Sequence, residues 1–325
     1  MRAHHLTLML GIVTAFFASP PFVGAEKVAA KPTFDEFLRF TEDEDAGRLE
    51  TSIATYENDD GAKVHVVGAV HIGDAEYYAE LSEIFTGYEA LLFEMVGGRD
   101  GLEKKDLQGT GGIRMLQGMM GKTLELDFQL DGIDYTAENF VHADMDAKTF
   151  SLRMKEQGLN LFALMDKVSK WEKERARERR EKGLPDPDMG LTAVIQALLF
   201  GGGKDLKLAL GRQFGELNGF LTELEDAGAV IIGERNAVAL KVLQRTLKEG
   251  KKNVGIFYGA AHLPDMEVKL AELGFRRTGL EWKTAWFIPK KAGAERDGAK
   301  GKEEGEESVP PASRERKDEP KAETK

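Results

Sequence analysis

The sequence predicts an α/β fold with a mixed, largely parallel central sheet flanked by helices. Three observations predict it. An apolar run at residues 63–70 is followed by helical spacing to about residue 85 and by a second apolar run at 90–95; that strand–helix–strand order is the pattern of a parallel βαβ unit. The turn signal Asn58-Asp59-Asp60-Gly61 separates an alternating run, 49–56, from 63–70, which adds an antiparallel hairpin to that unit. Late in the chain, 253–259 and 264–273 read as strand and helix, and 284–288 as part of a last strand.

The elements follow in order. After a polar lead-in at 26–32, residues 33–40 have helical spacing, with Phe34, Phe37, Leu38 and Phe40 apolar. Asp74 is placed to cap the first long helix, which carries Tyr77, Leu81, Ile84 and Phe85 on one face. The next strand is ALLFEM, 90–95. Residues 97–121 are rich in glycine. Their GMMGKT fails as a phosphate loop, because the first required glycine is Leu116 and no strand precedes it. Residues 139–142 read as a strand running into His142-Ala143-Asp144, and a helical subregion spans about 146–227. Within it, 167–182 is a charged helix, with Glu178 and Lys182 four apart, whose charges read as a solvated face. Residues 191–200 form a ten-residue apolar run, read as a core helix rather than a flap, and Gly201-Gly202-Gly203 ends it. Residues 230–232 look like a short strand, and 236–247 a helix with Val238, Leu240, Val242 and Leu243 apolar.

The 325 residues divide into three parts. Residues 1–25 read as a cleaved signal peptide: Arg2 at the start, an apolar run at 6–17 too short to span a bilayer, and small residues at Val23-Gly24-Ala25. The mature chain is then expected to be exported, periplasmic or secreted, with no stable membrane anchor. Residues 26–291 hold the α/β domain. Residues 292–325 are Glu, Lys, Arg, Gly, Pro and Ser without periodicity, the composition of a disordered tail. The absence of cysteine excludes disulfides, thiolate ligands and a cysteine nucleophile. A formal net charge of -11 argues against general nucleic-acid binding, which needs Lys and Arg to neutralise phosphates.

Two of the six histidines sit in one frame. Gly68 to His71 and Gly259 to His262 each read Gly-x-x-His at the end of an apolar run. The carboxyl ends of parallel strands are where ligands approach, and glycine there permits a tight turn or a close contact. Two such turns on neighbouring strands would bring two imidazoles together, and neutral imidazole is a common metal ligand. Glu94, in an apolar strand, is costly unless paired or ligating. With His71 and His262 it makes a hydrolytic ligand set that leaves a position for water. Arg235, at a helix start in GERNAVAL, could bind a carboxylate or stabilise an oxyanion.

VVGAVHIGD, LLFEM, IIGERNAV and YGAAHLPDM, in this order, resemble the TraB/PrgY/GumN family, which also contains the Tiki metalloproteases. The resemblance spans about residues 64–286. It implies an α/β fold related to erythromycin-esterase and ChaN-like proteins. It carries the family's site onto His71, Glu94, Arg235 and His262. For Tiki-like members it implies hydrolysis of a peptide or protein substrate with a divalent metal such as Mn or Co; Zn suits the same ligands. One departure is Asp265, where glycine is common after the second histidine. The expected function is an exported metal-dependent hydrolase with His71, Glu94 and His262 on the metal and Glu94 and Arg235 catalytic. Glu234 and Asp144 are candidate general bases. The alternatives are a haem- or iron-binding protein using Tyr258 as axial ligand, or a metal-free esterase with a histidine as general base.

Overall fold

The structure is a computed structural model that describes residues 32–97, 126–158, 161–183, 204–216, 229–291, 294 and 296. The signal peptide, the GMMGKT stretch, the apolar run at 191–200 and nearly all of the charged tail lie outside the described residues.

A seven-stranded mixed sheet organises the chain. Its longest hairpin arm is β2 (Ala46–Glu57). Strands β1 (Leu38–Glu42) and β3 (Lys63–Ala69) lie end to end along one edge of β2, and β9 (Arg276–Pro289) runs along the other, all antiparallel to it. The β2–β3 turn is the Asn-Asp-Asp-Gly signal, with Gly61 at φ 71°, a conformation that glycine adopts without strain. Beyond β3 the sheet is parallel. Its order is β3, β8 (Asn253–Gly259), β5 (Ala90–Phe93), β7 (Phe140–His142). Helix α1 (Ala75–Phe85) makes the crossover from β3 to β5, and β8 fills the gap between them. A separate two-stranded pair joins β4 (Ile72–Gly73) to β6 (Asp127–Phe128), and α2 (Gln129–Gly132) follows directly.

The two-residue period of the strands divides the core into two layers. Val67, Ala69, Leu91, Phe93 and Phe257 pack on Tyr77, Leu81 and Phe85 of α1. Val64, Val66, Leu92, Ile256 and Tyr258 face the other way. There they meet α6 (Arg235–Lys248) and α7 (Leu263–Glu272) through Leu240, Leu243, Met266 and Leu270. Between these layers in sequence come α3 (Ala147–Glu156), capped by Asp146, α4 (Leu161–Glu181), which contains the charged helix, and α5 (Lys204–Glu216). Among the described residues no helix is long and apolar enough to cross a membrane.

Gly255, in the middle of β8, is held by parallel partners on both sides. A Cβ there would sit 2.5 Å from both Leu91 Cδ1 and Tyr88 Cδ2. Both side chains are buried in the core and would have to shift to admit it. Gly255→Ala is therefore expected to cost about 1–3 kcal/mol, read as a lower urea midpoint at unchanged slope.

Three local expectations change. Residues 33–40 are not a helix: a 3-10 turn at Phe34–Glu36 leads into β1. The spacing also fits period two, and Leu38 and Phe40 take the same face once β2 offers a pairing edge. Residues 230–232 are not a strand but part of a π-helical turn, Ala229–Glu234, that runs into α6. A short apolar run does not declare its period by itself. The last strand, of which 284–288 is part as expected, runs from Arg276 to Pro289. Asp74 stands at the N-cap of α1, yet its carboxylate makes no capping bond. It accepts Lys207 Nζ at 2.8 Å, Phe287 N at 2.6 Å and Arg296 Nη1 at 2.7 Å. Arg296 falls in the stretch read as a disordered tail.

Candidate active site

The parallel order β3–β8–β5–β7 sets four carboxyl ends side by side. Just past them stand His71, His262, Glu94 and Asp144. Glu94 was expected inside its strand; it lies one residue beyond β5, where its N–H still bonds Phe257 O at 3.0 Å. His71 and Glu94 do not come from adjacent strands, because β8, which carries His262, lies between.

Glu94 has an 11% exposed side chain. Its Oε2 accepts Gly259 N at 2.6 Å, and its Oε1 accepts Arg235 Nη2 at 2.6 Å. Burial opposes its ionisation. Its neighbours, the His262 ring, the Arg235 guanidinium, the Gly259 N–H and the His71 ring, outweigh burial and bring its pKa down to about 2.

His262 ends a 3-10 turn, Ala260–His262, that connects β8 to α7 without a loop. The first glycine of the paired motif makes room for this: a Cβ on Gly68 would press on Leu263 Cδ2 at 3.3 Å. His262 is buried, and its Nδ1 lies 2.7 Å from Asn236 Oδ1. The Asn236 amide nitrogen is committed to two acceptors, His262 O at 3.0 Å and Asp265 Oδ2 at 2.8 Å. Its oxygen must therefore face the ring, and Nδ1 carries the proton. Nε2 is left with a lone pair and lies 3.6 Å from Glu94 Oε1. Burial, aided by the Arg235 charge, pushes the imidazole pKa below its ordinary value, against the pull of Glu94, Asp144 and Asp265. A neutral nitrogen and an ionised oxygen thus face each other with no proton between them. Asp265, by accepting one of the Asn236 amide hydrogens, is one of the groups that fixes this tautomer.

Arg235 is the first residue of α6 and only 8% of its side chain is exposed. Its Nε and Nη2 form a fork on Asp144 Oδ1 and Oδ2, at 2.9 and 2.6 Å. The second Nη2 hydrogen goes to Glu94. Nη1 has a long 3.4 Å contact to Ile231 O in the π-helical turn. The Phe150 ring lies 5.7 Å from the guanidinium. Most of Arg235's donors are spent on carboxylates, so only Nη1 has capacity for an oxyanion.

His71 stands on the same sheet end but is exposed. Its Nδ1 lies 3.1 Å from Gln129 Oε1, whose amide nitrogen donates to Tyr135 OH at 2.8 Å. Among the described residues its Nε2, like that of His262, makes no hydrogen bond. The two imidazoles and the ionised carboxylate have the chemistry of a metal-ligand set. Among the described residues, however, no three His, Cys, Asp or Glu side chains close on one point. His262 and Glu94 meet, and His71 remains apart.

The other candidates are accounted for. Glu234 pairs with Arg153 at 2.9 Å, on the outside of the cluster. Asp144 is fully committed to Arg235 and to Met145 N at 2.7 Å. Neither is a free general base. Tyr258 is buried and its hydroxyl donates to Ala143 O at 2.6 Å, which removes it as an axial haem ligand. His142 Nε2 bonds Met95 O at 2.7 Å. Sequence reasoning missed Asn236 and Gln129. Both are ordinary amides in the sequence, and only their partners mark them.

Fold and site together define an α/β protein with a buried ionised carboxylate, its arginine and a neutral imidazole at the carboxyl end of the parallel strands. No protein-family model, no curated protein and no solved structure matches the chain.

Proposed function

We propose that the chain is an exported, metal-dependent hydrolase of the TraB/PrgY/GumN type, related in fold to erythromycin-esterase and ChaN-like proteins and acting on peptide or protein substrates. One observation carries the reading: His262 Nε2 and Glu94 Oε1 present facing lone pairs 3.6 Å apart, buried, with no hydrogen to share. Two such donors repel unless a cation lies between them, and the separation suits two ligands on one divalent ion with bonds of about 2.0–2.2 Å. His71, its tautomer set by Gln129, supplies the third nitrogen when its exposed turn moves inward. Mn, Co or Zn is the cation this donor set takes. Bound there, the cation would bring a water's pKa toward neutrality and polarise the scissile carbonyl. Glu94 holds negative charge at the site. Arg235 keeps Glu94 ionised and offers Nη1 to the developing oxyanion. The proton acceptor is not among the buried groups, all of which are committed.

The test uses residues 26–325 without an affinity histidine tag. Metal content is measured by mass spectrometry before and after loading with Mn, Co or Zn, and hydrolysis of a peptide library is followed with and without chelator. The reading expects close to one metal per chain and chelator-sensitive cleavage. No metal under any loading condition sinks it. Chelator-resistant turnover that His262→Ala abolishes would point to the metal-free esterase instead.

A further inference from the structure

We infer that Asp144 is the positioning residue of this site: it aims the Arg235 guanidinium so that a single N–H, and no more, reaches Glu94. The inference rests on the reading proposed above. Asp144 follows β7, the parallel neighbour of β5, which sets it beside Glu94 at the sheet end. Its side chain is fully buried. Apart from its neighbour's Met145 N–H, both oxygens serve only Arg235.

The fork fixes the plane of the guanidinium, since two parallel N–H···O bonds leave it no rotation. With Nε and one Nη2 hydrogen on Asp144, the second Nη2 hydrogen falls on Glu94 Oε1 alone. Glu94 Oε2 is taken by Gly259 N. Oε1 therefore keeps a free lone pair, the one that faces His262 Nε2. Without Asp144 the same Nε/Nη2 edge would be free to take Glu94 bidentately and cover that lone pair.

The test is a double-variant cycle on residues 26–325, read by Mn2+ titration calorimetry and by exchange protection of the Arg235 Nε–H in NMR spectra. Asp144→Asn, nearly isosteric, is expected to weaken Mn2+ about 10–100-fold and to expose the Nε–H to exchange. In an Arg235→Lys background, which keeps the charge and lacks the fork, the same substitution is expected to matter far less. Equal losses in both backgrounds would overturn the inference, because Asp144 would then act without Arg235. Unchanged Mn2+ affinity with a protected Nε–H would overturn it too. If Asp144→Asn does not fold, Arg235→Lys alone decides: parent-like affinity rejects the fork's role. If the parent binds no Mn2+, the metal reading fails, and the Nε–H protection in Asp144→Asn still decides whether Asp144 positions Arg235.

Discussion

Arg235→Ala is expected to be the most destabilising single substitution in the site, by about 3–5 kcal/mol near pH 7. The loss is not that of one ion pair. Removing the guanidinium leaves Glu94 and Asp144 buried, ionised and side by side, each stripped of its charged donor. The pH dependence identifies the cause. In the parent, the folded-state pKa of Glu94 is brought from its ordinary 4.5 down to about 2. That contributes stability on the order of 3 kcal/mol, fully present above about pH 4.5 and lost as pH falls through 2. In Arg235→Ala, Glu94 loses the neighbouring guanidinium charge and keeps the burial that opposes its ionisation, so stability is expected to increase on mild acidification. Urea melts of both proteins between pH 3 and 8 should therefore diverge on acidification: the parent loses stability below about pH 4.5, and Arg235→Ala gains it. Parallel slopes would mean that Glu94 or Asp144 finds another cation or leaves the core.

Saturating Mn2+ is expected to stabilise the parent by about 2.7 kcal/mol when free metal stands at 100 times its Kd, since the cation binds the folded chain and not the dispersed ligands. His262→Ala removes one of the two converging donors, and Glu94→Gln removes the charge. Each is expected to abolish the stabilisation. Glu94→Gln has a second consequence: its amide NH2 meets either Arg235 Nη2 or Gly259 N, both donors. It should therefore lose stability even without metal, whereas His262→Ala should lose mainly the metal response. Thermal melts with and without Mn2+ separate the two. A full metal-induced shift in His262→Ala would remove His262 from the ligand set.

Much of this was legible in the sequence. The hairpin around Gly61, the βαβ order, the strand at 253–259 and the helix after it follow from turn chemistry and hydrophobic period, which are local and repeat along the chain. The matched Gly-x-x-His frames, the glutamate in an apolar run and the arginine at a helix start marked the ends at which a site could form. Sequence alone determined which residue types stand at the carboxyl ends of the strands. It did not determine their adjacency. That β8 lies between β3 and β5 is fixed by the sheet order, so His262, not His71, became the partner of Glu94. The short apolar run at 230–232 is a π-helical turn that runs into the helix carrying Arg235, and the phenylalanines at 34 and 37 fall in opposite layers just before β1 pairs with β2. The tautomer of His262 depends on Asn236 and Asp265, and the aim of Arg235 on Asp144, contacts that span 26 and 91 residues of chain. Propensity and period act within a few residues of one another. The pairing of buried charges is chosen by which groups the packed sheet brings within hydrogen-bond reach, and only the tertiary structure decides that.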